Sequence, residues 1–252
     1  MTILELKNVT HSFSGSKKIL DDVSLSLEKG NIYALMGANG SGKTTLFNVV
    51  TGFIKATSGD IFFDSNRITN LAPHTINRIG IGRTFQDLRL ISKLTVKENI
   101  VLAMYDNPTQ AWYKAVMPEY IYKSQIADLD IKAEEIIATC NLRDVRNNLA
   151  KEISYGQQKL LNLACCIANN AELFLLDEPV AGINPIYRDR ILDLLEHLRE
   201  KGKTILLIEH NSEFLERIGD RLFFLKGGNI TAYDTFDQLR GDKEVLDAYL
   251  AA

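Results

Sequence analysis

Eight residues near the start of the chain, Gly37-Ala-Asn-Gly-Ser-Gly-Lys43-Thr44, satisfy the spacing G-x-x-x-x-G-K-[ST]. The stretch before them, Ile32–Met36, is apolar on both faces, which predicts a strand buried inside a sheet. The stretch after them carries Leu46, Val49 and Val50 on one helical face and stops at Gly52. A buried strand, a glycine-rich loop and an amphipathic helix in that order build a cradle for phosphate. Glycines let backbone N–H groups turn inward, and the helix N-terminus adds partial positive charge. Lys43 is then placed to reach the β and γ phosphates of a nucleotide, and the Thr44 hydroxyl to bind Mg²⁺. A chance glycine-rich turn would lack that frame.

Hydrophobic periodicity divides the rest of the chain. Leu4 and Leu6 alternate with Glu5 and Lys7, Val23, Leu25 and Leu27 with polar neighbours, and Ile61 and Phe63 follow Gly59 in the same way. A period of two predicts antiparallel strands with one wet face over the first sixty-odd residues. The middle third turns helical. Thr95 and Glu98 form a T-x-x-E capping box ahead of Val96, Ile100, Ala103 and Met104, and a second helix carries Ala133, Ile136, Ile137 and Cys140. Between them lies an aromatic stretch from Tyr105 to Tyr122 that includes Trp112. It could meet a partner or pack the helices on themselves. From Ser154 onward helices alternate with the all-apolar runs Leu173–Leu176 and Thr204–Ile208, the pattern of a parallel α/β sheet.

Composition excludes several classes. The chain has 252 residues, 46% hydrophobic and 24% charged, which is globular and not disordered. Its net charge of −3 argues against a dedicated nucleic-acid coat, and no nucleic-acid partner is expected. Three cysteines, Cys140, Cys165 and Cys166, two of them adjacent, argue against a disulfide framework and for a reducing cytoplasm. No apolar run approaches the ~18–20 residues of a membrane span, and the first residues lack a signal-peptide pattern, so contact with a membrane is expected only through a partner.

Two further segments carry chemistry. Asp177-Glu178-Pro179 ends the Leu173–Leu176 strand at the carboxyl edge of the sheet, where α/β folds bind ligands. Asp177 suits a metal shell, holding Mg²⁺ through water, and Glu178 suits a base for an attacking water. Ser154 and Gln157 form an S-x-x-Q capping box, and Gly156 leaves room for a ligand to approach the helix start.

With Gln86 in Arg83-Thr-Phe-Gln86 and His210 after Leu206-Leu-Ile-Glu, these motifs follow one another in the order of an ABC ATPase. The chain resembles ABC transporter nucleotide-binding subunits over essentially its full length, and most of all those of branched-chain amino-acid importers. That resemblance rests on Arg83 to Leu90, Tyr155-Gly-Gln-Gln158, Asp177 to Pro185, Leu206 to His210 and Glu244 to Leu250. It implies an α/β P-loop NTPase fold, a RecA-like core of mainly parallel sheet with an antiparallel β lobe. Residues 1–86 and 154–252 would form the core and lobe, and 87–153 an inserted helical subdomain.

The resemblance also implies roles. Phe13 would stack on adenine, with a core Phe at a strand end as the lesser alternative. Asn39, Gly40, Ser41, Gly42, Lys43, Thr44 and Thr45 would hold ATP. Thr44, Gln86 and Asp177 would hold Mg²⁺, with Gln86 also touching the attacking water and the permease. Ser154, Tyr155, Gly156 and Gln157 would contact the γ-phosphate of the opposite subunit, while His210 would contact its own and orient Glu178. Tyr155 replaces the first glycine of the usual LSGGQ signature, and Asn184 replaces the usual D-loop Asp. Both are shared with the amino-acid importer group, and locally Asn184-Pro185 reads as a helix N-cap with Pro at the first turn. Lys159 stands where an Arg is frequent and is assigned no role. The implied activity is ATP hydrolysis driving transport, by a homodimer or a heterodimer with a related chain. Its partners would be membrane permease subunits and an extracytoplasmic solute-binding protein, on the inner face of the cell membrane. A lipopolysaccharide-extraction ATPase fits less well, because its signature resembles LSGGERR. A soluble DNA-repair or translation ATPase would carry paired cassettes, coiled coils or zinc modules, and intact Lys43, Glu178 and His210 argue against a scaffold without hydrolysis.

Overall fold

The computed structural model describes residues 1–13, 17–86, 88–104, 119–243 and 245. Most of the aromatic stretch Tyr105–Tyr122 and of the C-terminal Glu244–Leu250 resemblance lies outside them.

Strands β1 (Thr2–Phe13), β2 (Lys17–Glu28), β4 (Ser58–Phe63) and β5 (Asn66–Arg67) form an antiparallel sheet in the order β2-β1-β4-β5. The expected alternation holds along β2, where Val23, Leu25 and Leu27 are buried. Along β1 it slips: irregular pairing with β2 between Leu6 and Val9 changes which residues face inward, so Val9 and His11 are buried after Leu6.

The second sheet runs β10-β9-β3-β8-β7-β6. It comprises β3 (Ile32–Met36), β6 (Ile81–Arg83), β7 (Leu173–Asp177), β8 (Thr204–Ile208), β9 (Arg221–Lys226) and β10 (Asn229–Tyr233). All its pairings are parallel except the edge pair β9–β10. β3, β7 and β8 are buried at every residue, because both faces are covered. Alternate side chains serve alternate cores. Ile32, Ala34, Met36, Phe174, Leu176, Ile205 and Leu207 join a cluster with the helices of one face. Tyr33, Leu35, Leu173, Leu175, Leu206 and Ile208 join a cluster with the antiparallel sheet and α1 (Lys43–Val50) on the other.

The remaining helices are α2 (Pro73–Arg78), α3 (Val96–Ala103), α4 (Glu119–Thr139), α5 (Tyr155–Ala168), α6 (Pro185–Glu200), α7 (Ser212–Ile218) and α8 (Phe236–Gly241). Both predicted capping boxes form, Thr95 with Glu98 on α3 and Ser154 with Gln157 on α5. Asn184 caps α6 with Pro185 in its first turn. Helices α3, α4 and α5 pack together through Val96, Ile100, Ala133, Ile137, Leu160 and Ala164. All three cysteines are free, and burial pushes each thiol up to about 12. Among the described residues no helix is long and apolar enough to cross a membrane.

Candidate functional site

The order β3-β8-β7-β6 decides the site. These four strands lie side by side and parallel, so the segments leaving their carboxyl ends emerge together. After β3 comes the loop Gly37–Gly42, after β7 Glu178, after β8 Glu209 and His210, and after β6 Thr84 to Gln86. Backbone pairs lock neighbouring ends: Glu178 N donates to Ile208 O at 2.9 Å and Thr84 N to Leu175 O at 3.0 Å. The Thr84 hydroxyl also accepts from Asp177 N at 3.1 Å, tying the Gln86 segment to the acidic strand.

In the glycine-rich loop, Gly42 has φ +109 at the N-cap of α1, a conformation L side chains rarely adopt. A Cβ on Gly37 would stand 2.4 Å from Leu225 O, so β9 itself demands a glycine there. The Lys43 ammonium is buried within the loop and donates to Gly37 O at 2.7 Å and Ala38 O at 3.0 Å. Burial lowers its pKa, while Glu178 and Asp177 oppose the shift. The Ser41 hydroxyl is buried and has no hydrogen-bond partner. A buried cation beside an unpaired hydroxyl on a glycine turn fits an anionic, oxygen-rich ligand. Asn39, Gly40 and Thr44 are exposed at its mouth, with Thr45 half-buried.

Asp177 is buried, and burial pushes its carboxyl up against the pull of Arg83 and Lys43. Arg83 Nη2 lies 3.9 Å from Asp177 Oδ2, while Nη1 donates to Asn48 Oδ1 at 2.7 Å and Thr51 Oγ1 at 3.0 Å. Its guanidinium sits 4.7 Å from the Phe85 ring centre, and burial brings its pKa down to about 10. Glu178 is half-buried with φ +50, a left-handed conformation unusual for this residue. His210 Nε2 is 3.8 Å from Glu178 Oε1, close enough to sense its charge but too long for a hydrogen bond. Among the described residues no three His, Cys, Asp or Glu side chains cluster as a metal cage. Thr44, Gln86 and Asp177 offer a hydroxyl, an amide and one carboxylate. Such a hard-oxygen set fits magnesium, which is commonly held by one or two carboxylates, phosphates and water.

Phe13 is 54% exposed and packs edge-on against His11 at 4.6 Å, which removes the plain reading of a core phenylalanine. Gln86 is exposed at the end of its segment. Ser154 and Tyr155 are exposed at the start of α5. Gly156 is buried for a reason the sequence does not show: a Cβ there would stand 2.5 Å from the Tyr187 ring of α6. Intrachain packing demands this glycine, whatever else approaches the helix start.

Three residues with no role in the sequence reading belong to the site. One is Arg83. Another is Lys159, which is buried and donates to Glu178 O at 2.8 Å. The third is Glu209, buried, whose carboxylate accepts from Val180 N at 2.9 Å and His210 N at 3.1 Å. Lys159 has a legible signal, since it shares the buried stripe of α5 with Leu163 and Cys166 at helical spacing. Glu209 ends an all-apolar strand, which marks its position but not its partners.

The pattern of the ABC transporter family matches residues 20–181. The chain is 33% identical over 249 residues to the high-affinity branched-chain amino acid transport ATP-binding protein BraF of Pseudomonas aeruginosa, covering 98% of this chain and 97% of BraF. It is 32% identical over 249 residues to the corresponding LivG protein of Escherichia coli, with the same coverage. Among solved structures it is similar to the ADP conformation of MJ1267, an ATP-binding cassette of an ABC transporter, with TM-score 0.84, 32% identity and 100% of each chain covered. It is also similar to a dimeric post-hydrolysis state of the cassette MJ0796 bound to ADP and Pi, with TM-score 0.77 and 27% identity over 92% of this chain and 98% of that one.

Proposed function

The chain belongs to the ABC transporter ATP-binding family, and from that premise we propose that it hydrolyses ATP in a dimer to drive a membrane permease importing branched-chain amino acids or related small solutes. The observation that carries the chemistry is the meeting of Lys43, Asp177, Glu178 and His210 at one edge of the parallel sheet. ATP is the substrate: Asn39 to Thr45 hold its phosphates, and exposed Phe13 offers an aromatic face to its base. Glu178 draws a proton from the attacking water, and His210 steadies that carboxylate and the γ-phosphate. Thr44, Gln86 and Asp177 are the residues that would hold Mg²⁺, which when bound neutralises charge developing between the terminal phosphates.

The dimeric MJ0796 cassette supports a second subunit. The start of α5, Ser154 to Gln157, exposed at Ser154 and Tyr155, would then face the partner's γ-phosphate. Residues 87–153 would form a helical subdomain inserted between the two parts of the core, 1–86 and 154–252. Membrane attachment would run through the permease on the inner face, with an extracytoplasmic solute-binding protein delivering cargo. The names of BraF and LivG support the choice of cargo.

Glu178→Gln tests the reading. It removes the basic carboxylate but leaves Lys43, Thr44 and Asp177. Mg-ATP binding should persist while turnover falls by the ~10²–10⁴-fold of a lost general base. Near-normal turnover would withdraw Glu178 as the base.

A further inference from the structure

Lys159 occupies a place where packing alone calls for leucine or methionine. It lies on the buried stripe of α5, 5% exposed, yet ends in an ammonium. Burial lowers its pKa, and Glu209, Glu178 and Asp177 oppose that shift in that order. The ammonium donates to Glu178 O at 2.8 Å. Among the described residues that carbonyl has one other donor, Ala181 N at a longer 3.3 Å, and the next residue, Pro179, brings no N–H. Glu178 itself is held left-handed, a backbone state that persists only when its surroundings fix it. On the far side of the same turn, Glu209 accepts from Val180 N, His210 N and Asn211 N, bracing the segments that carry the acid and the histidine.

We propose that Lys159 is a positioning residue for ATP hydrolysis, holding the Glu178 peptide so that its carboxylate stays aimed and so that α5 and the base turn move as one piece. The proposal rests on Glu178 being the base. α5 begins with the residues that would face the partner's nucleotide, so a shift of that helix is carried by the part-buried Lys159 hydrogen bond to the base of the chain's own site. Lys159 touches no substrate. It acts through Glu178.

Lys159→Met keeps the length and apolar stem and deletes the donor. The variant should fold with a modestly lowered melting temperature, because the Glu178 carbonyl keeps only its longer bond from Ala181 N, while removal of a buried charge offsets part of that loss. It should bind Mg-ATP with the affinity of the parent chain by calorimetry, while kcat falls roughly 10–100-fold, the scale of a catalytic group displaced by about 1 Å. Lys159→Arg, which still donates to the carbonyl, should recover most of the rate. In the Glu178→Gln background, single-turnover rates should show no added loss from Lys159→Met, since both lesions strike one step. Unchanged kcat in a folded Lys159→Met variant overturns the proposal, as does a full additional loss in the Glu178→Gln background. If Lys159→Met does not fold, Lys159→Leu carries the same test, since it too is apolar and lacks the donor. Near-normal turnover of Glu178→Gln alone would instead overturn the base assignment, so the two failures are told apart.

Discussion

Single residues in this chain are constrained by two demands that pull differently, ligand chemistry and close packing. Lys43 answers the first: its ammonium sits buried among loop carbonyls with two acids opposing the shift in its pKa. Lys43→Ala removes the cation that offsets triphosphate charge, so ATP affinity and hydrolysis should both collapse while the melting temperature holds. Calorimetry showing undiminished affinity would take Lys43 out of the site. Gly156 answers the second. Gly156→Ala drives a methyl group against the Tyr187 ring and should cost about 1–3 kcal/mol of stability, the usual range for overpacking. The loss should shrink in a Gly156→Ala, Tyr187→Ala double variant. An equal loss in both backgrounds would show that Tyr187 is not what the glycine accommodates.

Two helices of the structure start with the same device. Thr95 on α3 and Ser154 on α5 each accept from the third helical N–H, while Glu98 and Gln157 reach back to the cap's own N–H. Thr95→Ala and Ser154→Ala should therefore cost similar stability, about 1 kcal/mol each by thermal or urea unfolding. Their effects on activity should part. The start of α5 is proposed to complete the partner's site, and that of α3 is not, so only Ser154→Ala should lower the ATPase rate of fully folded protein. Matched activity losses, or none at Ser154, would reduce the α5 box to capping alone.

At the scale of the whole molecule, the four parallel strand ends carry the proposed nucleotide contacts and base of one chain, but the Ser154–Gln157 segment, exposed at Ser154 and Tyr155, starts a separate helix. A site completed by a second chain predicts that ATPase rate per subunit rises with protein concentration as dimers form, then levels off. If the protein is dimeric at every concentration, the rate is flat and light scattering reports the dimer. A flat rate from a protein that scatters as a monomer would sink the composite site.

Much of this was legible in the sequence because its signals are local. Period-two alternation in Val23 to Leu27, all-apolar Ile32–Met36 and Thr204–Ile208, and the caps at Thr95, Ser154 and Asn184 each depend on neighbours within one turn or one strand. The phosphate loop is legible for the same reason, since its glycines, Lys43 and Thr44 are contiguous. Less local features escaped. The antiparallel pair β9–β10 and the short strands β5 and β6 are defined by the strands they pair with. The slip in β1 comes from its register with β2, and the need for glycine at 156 comes from a ring on another helix. The same holds for the groups that support the chemistry. Lys159 meets Glu178 across 19 positions, Glu209 meets Val180 across 29, and Thr84 meets Asp177 across 93. A sequence states which residues can donate, accept or carry charge. Which of them meet was decided by the strand order β3-β8-β7-β6, because side-by-side strand ends, not sequence neighbours, bring buried charges within hydrogen-bonding reach.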